Sequence, residues 1–410
     1  MRIVREGLRR SEPPAAVAGD VAAILAEVRE DGDRAIVRLT KRFDHADLAP
    51  DELRVEPAEM DAAPGVLEPA ALDGLRTAIA NVRAVVEAQL RDPVEVALPE
   101  GQRVAVAEVP VARAGVYVPA GRAAYPSTVV MCAVTARAAG VDEIAVCAPP
   151  GPDGRAHPVI LAACMLCGVD EVYRMGGAQA IAALAYGTES VRPVDVIAGP
   201  GNPYVQEAKG QVAGRVGIDG IAGPSELVAV VSPGADAELV ALDLLAQGEH
   251  GPDSLLAVIS TDAALADEIA AAVERLAPDR PSVADAELQV FVAAGARAAL
   301  RTAEELVPEH LELVGPEAEA LAGEVRRAGC VFVGRDAATA FGDYVAGSNH
   351  VLPTGGAARF QSALSAATFR RRMARVSFPD GAAARLSPAG AALARAEGFP
   401  VHAESMERRA

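Results

Sequence analysis

The sequence predicts an α/β protein: two units of short strands alternating with helices, preceded by a mainly helical region and followed by a helical tail. Three observations carry this. After Pro93, short runs rich in Val and Ile alternate with stretches whose apolar residues recur every three to four positions, the pattern of βαβ units and a parallel sheet. Before Pro93 the helical period stands alone. Finally, 410 residues that are 51% hydrophobic and 23% charged supply core for two or three domains at roughly 100–200 residues each.

Taken in order, Ala16 to Phe43 and Ala70 to Leu90 carry apolar residues at helical spacing with charges between them. A strand is expected at Ala114–Val118, then a helix at Thr128–Ala139. Glu143–Cys147 (strand), Pro158–Cys167 (helix), Glu171–Tyr173 (strand), Ala178–Tyr186 (helix) and Val194–Ala198 (strand) repeat the alternation. The Gly223-Pro224-Ser225 turn marks a join. Beyond it come Leu227–Val231, the helix Ala235–Gln247, the strand Leu255–Ser260 and the helix Ala264–Leu276, and Leu288–Val292, Cys330–Val333 and the segments between them continue the alternation. The last 35 or so residues read as polar helix with little core, a tail that packs on its own chain or on a partner. The expected divisions are 1–105 (mainly helical, packing on the α/β core), 106–225, 226–375 and 376–410.

A net charge of −18 argues against nucleic acid, whose binding neutralises phosphates with Lys and Arg. Only Lys41 and Lys209 are lysines, so any lysine chemistry must sit at one of them. Five cysteines, at 132, 147, 164, 167 and 330, are too sparse for a disulfide framework and suit a reducing compartment. Met1 to Glu12 lacks the apolar segment of a signal peptide. Apolar runs such as Val159 to Val169 fall short of the ~18 residues a membrane span needs. A cytoplasmic globular protein is expected.

The usual cofactor fingerprints are missing. Gly199-Pro-Gly201-Asn202 begins like a phosphate loop but lacks a third glycine, and Lys209 does not complete a P-loop. It reads as a tight turn between strand and helix, although backbone N–H groups at a helix start also suit an anion. Cys164-Met-Leu-Cys167 has no second pair at zinc-site distance and reads as core thiols. Of six histidines, His45 and His157 read as cap or loop residues, while His250, His310, His350 and His402 each have a polar or acidic neighbour and a nearby Gly or Pro, the texture of site loops.

In Gln247-Gly-Glu-His250-Gly-Pro-Asp253, Gln247 and His250 stand three apart and would share a helical face. They suit a divalent metal, or else His250 simply meets the helix dipole. Pro308-Glu309-His310-Leu311 sets a carboxylate beside an imidazole, either an acid–base pair or a solvated pair in a loop. Gly342-Asp343-Tyr344 and Gly347-Ser-Asn349-His350-Val-Leu-Pro353-Thr354 are dense in loop and functional residues, and Glu397 and His402 lie five apart in the tail.

Together these segments form an ordered set. Gly115-Val-Tyr117-Val-Pro119-Ala-Gly121 and Tyr125-Pro-Ser-Thr128-Val precede Gly176-Gly-Ala-Gln179, Gly199-Pro-Gly-Asn202 and Ala222-Gly-Pro-Ser225-Glu. The Gln247, Pro308 and Gly342 segments then follow. From about residue 15 to the C-terminus, the set closely resembles the histidinol dehydrogenase family.

The resemblance implies a zinc-dependent, NAD-linked homodimer that oxidises L-histidinol to L-histidine through L-histidinaldehyde in histidine biosynthesis. It implies two related, incomplete Rossmann-like domains, the first on the NAD side and the second carrying most zinc and catalytic residues. An incomplete fold accounts for the missing glycine fingerprint. By the same resemblance Gln247, His250, Asp343 and His402 match the zinc ligands, one Zn2+ per subunit, with His402 expected from the partner subunit. Glu309 and His310 match the catalytic acid–base pair. Tyr117, Gln179 and Asn202 match NAD contacts. Ser225, His350 and Glu397 match substrate contacts, joined by His310 and the metal ligands. Within the superfamily the rival is a paralogue acting on another alcohol, such as a sulfonated propanediol; Glu397 suits a cationic amine better. A zinc hydrolase, which would turn over without NAD, and a non-catalytic binding protein are the alternatives from other classes.

Overall fold

The computed structural model describes residues 1–5, 7–8, 17–120 and 124–410. Its strands are β1 (Arg2–Val4), β2 (Val94–Ala97), β3 (Arg103–Pro110), β4 (Arg113–Tyr117), β5 (Glu143–Ala148), β6 (Glu171–Arg174) and β7 (Val196–Ala198). They continue as β8 (Gly217–Ile218), β9 (Glu226–Val231), β10 (Leu255–Ser260), β11 (Glu287–Val292), β12 (His310–Val314), β13 (Cys330–Val333) and β14 (Arg370–Ser377). The chain forms two units, Met1–Ala88 with Ala112–Phe369, and Gln89–Val111 with Arg370–Ala410.

The larger unit holds both parallel sheets. In the first, the order is β6-β5-β4-β7-β8. All five residues of the central β4 are buried, and a Cβ added to Gly115 would already lie 3.0 Å from Leu184. The N-terminal helices share one core cluster with the helix Gly177–Tyr186. Where one helix was expected across Ala16–Phe43, there are two, Ala18–Asp31 and Asp33–Phe43; Ala16 lies outside the described residues. Gly32 divides them in a left-handed conformation, φ +56°. Glu189 Oε2 accepts the Asp33 N–H there at 2.8 Å, where a side chain on residue 32 would collide with that carboxylate. The expected helix near Thr128–Ala139 spans Pro126 to Ala138 and includes a π-turn at Val130–Val134.

In the second sheet the order is β1-β11-β10-β9-β12-β13, again all parallel. Helices Ala237–Gly248 and Ala263–Leu276 cover Leu227, Ala229, Leu256 and Val258 on one face. Ala296–Leu306 covers Val228, Val230, Ala257 and Leu311 on the other. Burial on both faces is why these strands read as continuous apolar runs rather than alternating ones. β12 falls in the stretch between Leu288–Val292 and Cys330–Val333, where the alternation was expected to continue but no strand was bounded. Its opening Glu309-His310 carries two polar groups that mimic a loop, yet both are buried at the head of an interior strand.

The smaller unit keeps the expected helical tail and adds a sheet ahead of it. β14 pairs antiparallel with β3, Arg370 opposite Pro110 through Ser377 opposite Arg103, and β3 pairs with β2. β2 is only four residues long and exposed throughout, and β14 is nearly as exposed and opens on three arginines, so neither stood out as a strand. Helices Ala382–Ala396 and Pro400–Glu407 pack together through Ala391, Ala394, Ala403 and Met406. Among the described residues no helix is long and apolar enough to cross a membrane.

Candidate active site

Ser225 immediately precedes β9, and Glu309 immediately precedes β12. Those strands are parallel neighbours with His310 opposite Leu227, so both residues emerge at the same, N-terminal edge of the second sheet. Glu309 Oε2 accepts hydrogen bonds from Ser225 Oγ at 2.8 Å and from the Glu226 N–H at 2.9 Å. Glu226 returns the bond, accepting the Glu309 N–H at 3.0 Å and the Gly355 N–H at 3.1 Å. Gln247 Nε2 donates to Ser225 Oγ at 2.9 Å, leaving the amide oxygen as the available donor atom toward a cation.

His310 Nδ1 lies 3.0 Å from the Glu226 carbonyl oxygen. A carbonyl only accepts, so Nδ1 carries the proton and Nε2 keeps the lone pair. Nε2 lies 3.9 Å from Asp343 Oδ1, and Nδ1 lies 3.5 Å from Glu309 Oε2. The adjacent Glu309 and His310 thus converge, because Glu226 grips both.

Burial sets the protonation states. It pushes the Glu309 carboxyl up to about 7, against the pull of the hydrogen bonds from Glu226 and Ser225. It pushes Asp343 up to about 6, with His310 opposing and Glu309 adding. It lowers His310, though Asp343 resists. His350 falls to about 4, chiefly by burial, although its Nδ1 meets the Asp343 carbonyl at 2.9 Å. His250 is exposed to solvent over part of its surface, yet surrounding protein and the nearby His310 lower its pKa. The outcome is a pocket of neutral imidazoles beside carboxyls poised near neutrality, the tuning that proton transfer requires.

Asp343 belongs to the helix Thr339–Tyr344. His350 Nε2 approaches Thr128 Oγ1 at 3.4 Å, and Asn349 Nδ2 donates to the Met131 carbonyl at 3.0 Å and to Thr135 Oγ1 at 3.2 Å. The 349–350 loop therefore docks on the π-turn of the first sheet's helix, a distortion that recurs at functional sites. The helix closes at Gly248 and a turn carries His250, whose N–H reaches the Gln247 carbonyl at 3.2 Å, an i to i+3 turn that keeps the two residues on one side.

A second carboxyl pair went unread. Glu312 sits two residues beyond His310 on the same face of β12, its Oε1 accepting the Thr339 N–H at 3.3 Å. Burial, then Asp243, drives its pKa well above the carboxylate range, and burial raises Asp243 to about 6. Glu312 thus props the start of the helix that bears Asp343. A lone Glu inside the apolar run His310–Val314 was the available signal.

Tyr117, Gln179 and Asn202 gather at the opposite kind of edge, the C-terminal ends of β4, β6 and β7. They line a cavity of about 440 Å³ with Pro149, Gly177 and Tyr204. The Tyr117 hydroxyl accepts the Gly177 N–H at 3.1 Å, and Asn202 Oδ1 caps the helix Pro203–Val212 by accepting the Val205 N–H at 3.1 Å. Gln179 Nε2 is buried with no partner among the described residues. This is where parallel α/β sheets bind nucleotides. The Gly199–Asn202 loop is clamped from below: Asp219 Oδ2 accepts the Gly199 N–H at 2.8 Å, and Lys209 Nζ donates to the Gly199 carbonyl at 3.0 Å. Lys209 and Asp219 form a buried ion pair at 2.5 Å. Gly199 has φ +126°, and a Cβ there would strike the Tyr117 carbonyl. Gly121 of the first motif lies outside the described residues.

Glu397 and His402 belong to the smaller unit. Both are exposed, Glu397 at the end of the helix Ala382–Ala396 and His402 in Pro400–Glu407, its ring 5.2 Å from Phe399. Among the described residues, no three His, Cys, Asp or Glu side chains of one chain form a metal cage.

A nucleotide-type crevice at one sheet and a dry carboxylate–imidazole pair at the other are the working parts of an α/β dehydrogenase. The histidinol dehydrogenase family model matches residues 8–410. The histidinol dehydrogenase of Gluconobacter oxydans is 44% identical over 407 residues, covering 98% of this chain and 94% of that protein. That of Parasynechococcus marenigrum is 43% identical, covering 96% and 91%. The crystal structure of histidinol dehydrogenase from Elizabethkingia anophelis superposes with a TM-score of 0.93 at 29% identity, over 100% of this chain and 98% of that one. The chain belongs to the histidinol dehydrogenase family and is an NAD-dependent oxidoreductase.

Proposed function

We propose that this protein oxidises L-histidinol to L-histidine through L-histidinaldehyde, reducing two NAD per turnover with one Zn2+ per subunit, as a cytoplasmic homodimer of histidine biosynthesis. The observation that carries the reading is Glu309: a buried carboxyl near neutrality, bonded to Ser225 and flanked by His310.

In the first oxidation His310 Nε2 takes the alcohol proton as hydride leaves for the nicotinamide. Glu309 then removes a proton from the water that adds to the aldehyde, and His310 again accepts a proton as the hydrate is oxidised. Ser225 and His350 contact the substrate, and Glu397 meets its amine. Tyr117, Gln179 and Asn202 hold NAD.

The residues fit a zinc ion. Among the described residues the Gln247 amide oxygen has no hydrogen-bond partner and Asp343 is an interior carboxyl with no Lys or Arg partner, while burial and His310 favour the neutral form of His250. A mixed N/O set of this kind suits zinc with open positions, and His402 of the other subunit would complete it. When bound, zinc supplies a template for the substrate's imidazole and amine, with some polarisation of the reacting oxygen.

The test is NADH formed per L-histidinol consumed, with zinc-loaded and chelator-stripped protein side by side. Two NADH, lost on stripping and restored by zinc, is the expected result. No turnover of histidinol by folded, zinc-loaded protein would move the assignment to a paralogue acting on another alcohol. Turnover without NAD would point to a hydrolase.

A further inference from the structure

The cofactor-side cavity contains one carboxylate that the mechanism does not use. Asp44 ends the helix Asp33–Phe43 and lines the same 440 Å³ cavity as Tyr117, Gln179 and Asn202. Its Oδ2 is buried and has no hydrogen-bond partner among the described residues. Such an acceptor is costly unless something supplies a donor. Its position is built: His45, immediately after it, adopts φ +58°, a conformation uncommon outside glycine. Gly176 leaves room beside it, since a Cβ there would lie 2.6 Å from Pro149 and 3.3 Å from Asp44 Oδ1.

The sheet order gives the cavity a direction. Asn202 follows β7, and its side leads to the catalytic edge: Gln206 donates to the Gly201 carbonyl at 3.3 Å and accepts the Ala222 N–H at 2.8 Å, three residues before Ser225. Asp44 lies across β4, beside Pro149 after β5 and Gly176 after β6. A dinucleotide whose nicotinamide faces the catalytic edge therefore brings its adenosine half to Asp44. A second cavity of about 490 Å³, sharing Ala120 and Pro149 with the first, offers room beyond for the base.

We propose that Asp44 accepts the hydroxyls of the adenosine ribose and is the residue that selects NAD over its 2′-phosphorylated form. This rests on reading the cavity as the dinucleotide site. A carboxylate accepts two ribose O–H donors and repels a 2′-phosphate. No Lys or Arg lines the 440 Å³ cavity among the described residues. A Rossmann fold places the equivalent acid at the end of a sheet strand; here an N-terminal helix delivers it.

Two measurements test the proposal. Calorimetry on the zinc-loaded wild-type protein compares adenosine 5′-monophosphate with adenosine 2′,5′-bisphosphate, independently of turnover. The monophosphate is expected to bind at least about tenfold more tightly, the scale of one charge-assisted hydrogen bond exchanged for repulsion. Equal or tighter binding of the bisphosphate overturns the proposal and hands the subsite to a cation such as Arg155 of the adjoining cavity. In steady-state kinetics, Asp44→Asn is expected to raise KM for NAD about tenfold with kcat within about twofold, and to narrow the NAD-to-NADP preference. An unchanged KM and preference, or a loss confined to kcat, overturns it. Wild-type protein that binds neither nucleotide nor NAD refutes the dinucleotide reading itself.

Discussion

The two parallel sheets are built alike and carry their candidate sites at opposite edges. At the first, the C-terminal strand ends offer a tyrosine hydroxyl, two amides and glycine-rich turns, with Gly199 locked by the Lys209–Asp219 pair beneath it. At the second, the N-terminal edge gathers Glu309, His310 and Ser225 with the ends of neighbouring helices. On the function proposed above, the first edge recognises a ligand by shape and hydrogen bonds and needs few titrating groups, whereas the second moves protons; burial brings the second edge's carboxyls toward neutrality. Doubling a fold thus does not double its chemistry: function follows the residues grafted at each edge.

The sharpest way to break this division is to remove the base. His310→Gln should lower kcat for both oxidations by roughly 10²–10⁴-fold, the usual scale for general-base catalysis, while NAD binding measured by calorimetry stays within about twofold. A parallel loss of NAD affinity would merge the two sites.

Next in size is the clamp under the cofactor loop. Lys209→Met leaves Asp219 buried and uncompensated, and urea unfolding should show a loss of about 3–5 kcal/mol. Adding Asp219→Asn, which keeps an acceptor for the Gly199 N–H, should recover most of it. Stability indifferent to the single change would mean the pair does not carry the loop.

A pH experiment addresses the catalytic edge. Glu309 has a folded-state pKa of about 7, above its ordinary value, so the folded chain retains a proton that the unfolded chain releases. Stability therefore falls as pH rises from about 4.5 to 7, and the ionised carboxyl then costs on the order of 3 kcal/mol. In metal-stripped protein, Glu309→Gln should raise stability at pH 8 and change it little at pH 4.5. Stabilisation equal at both pH values would remove burial as the source of the tuning.

The smallest effect belongs to the cofactor edge. Asn202→Ala deletes a helix cap worth about 1 kcal/mol and should raise KM for NAD severalfold with kcat nearly unchanged. A fall in kcat alone would instead couple Asn202 to the chemistry.

Legibility differed between the two edges for physical reasons. Local periodicity identified most buried strands and helices, because apolar runs bounded by turns survive without tertiary context. It set no bounds on β12, since Glu309 and His310 imitate a loop, and it passed over the short β2 and the arginine-rich β14, both exposed. The ordered motifs named Ser225, Gln247, Glu309, His310, Asp343 and His350 in advance, and these cluster around the second edge or its docking loop. Nothing local, however, tied Glu226 to both strand starts, Glu312 to Asp243, or Lys209 to Asp219. Those partners stand 10 to 83 residues apart, and only the sheet register brings them together.

The most direct test of the account supplies L-histidinaldehyde to Glu309→Gln. With NAD, oxidation to histidine should fall by roughly 10²–10⁴-fold, because the water that must add has lost its base. With NADH, reduction of the same aldehyde to histidinol needs no added water and should persist within about threefold, since His310 serves that step. Intact oxidation of the aldehyde would contradict the role of Glu309, and equal loss in both directions would reduce it to a structural support for His310.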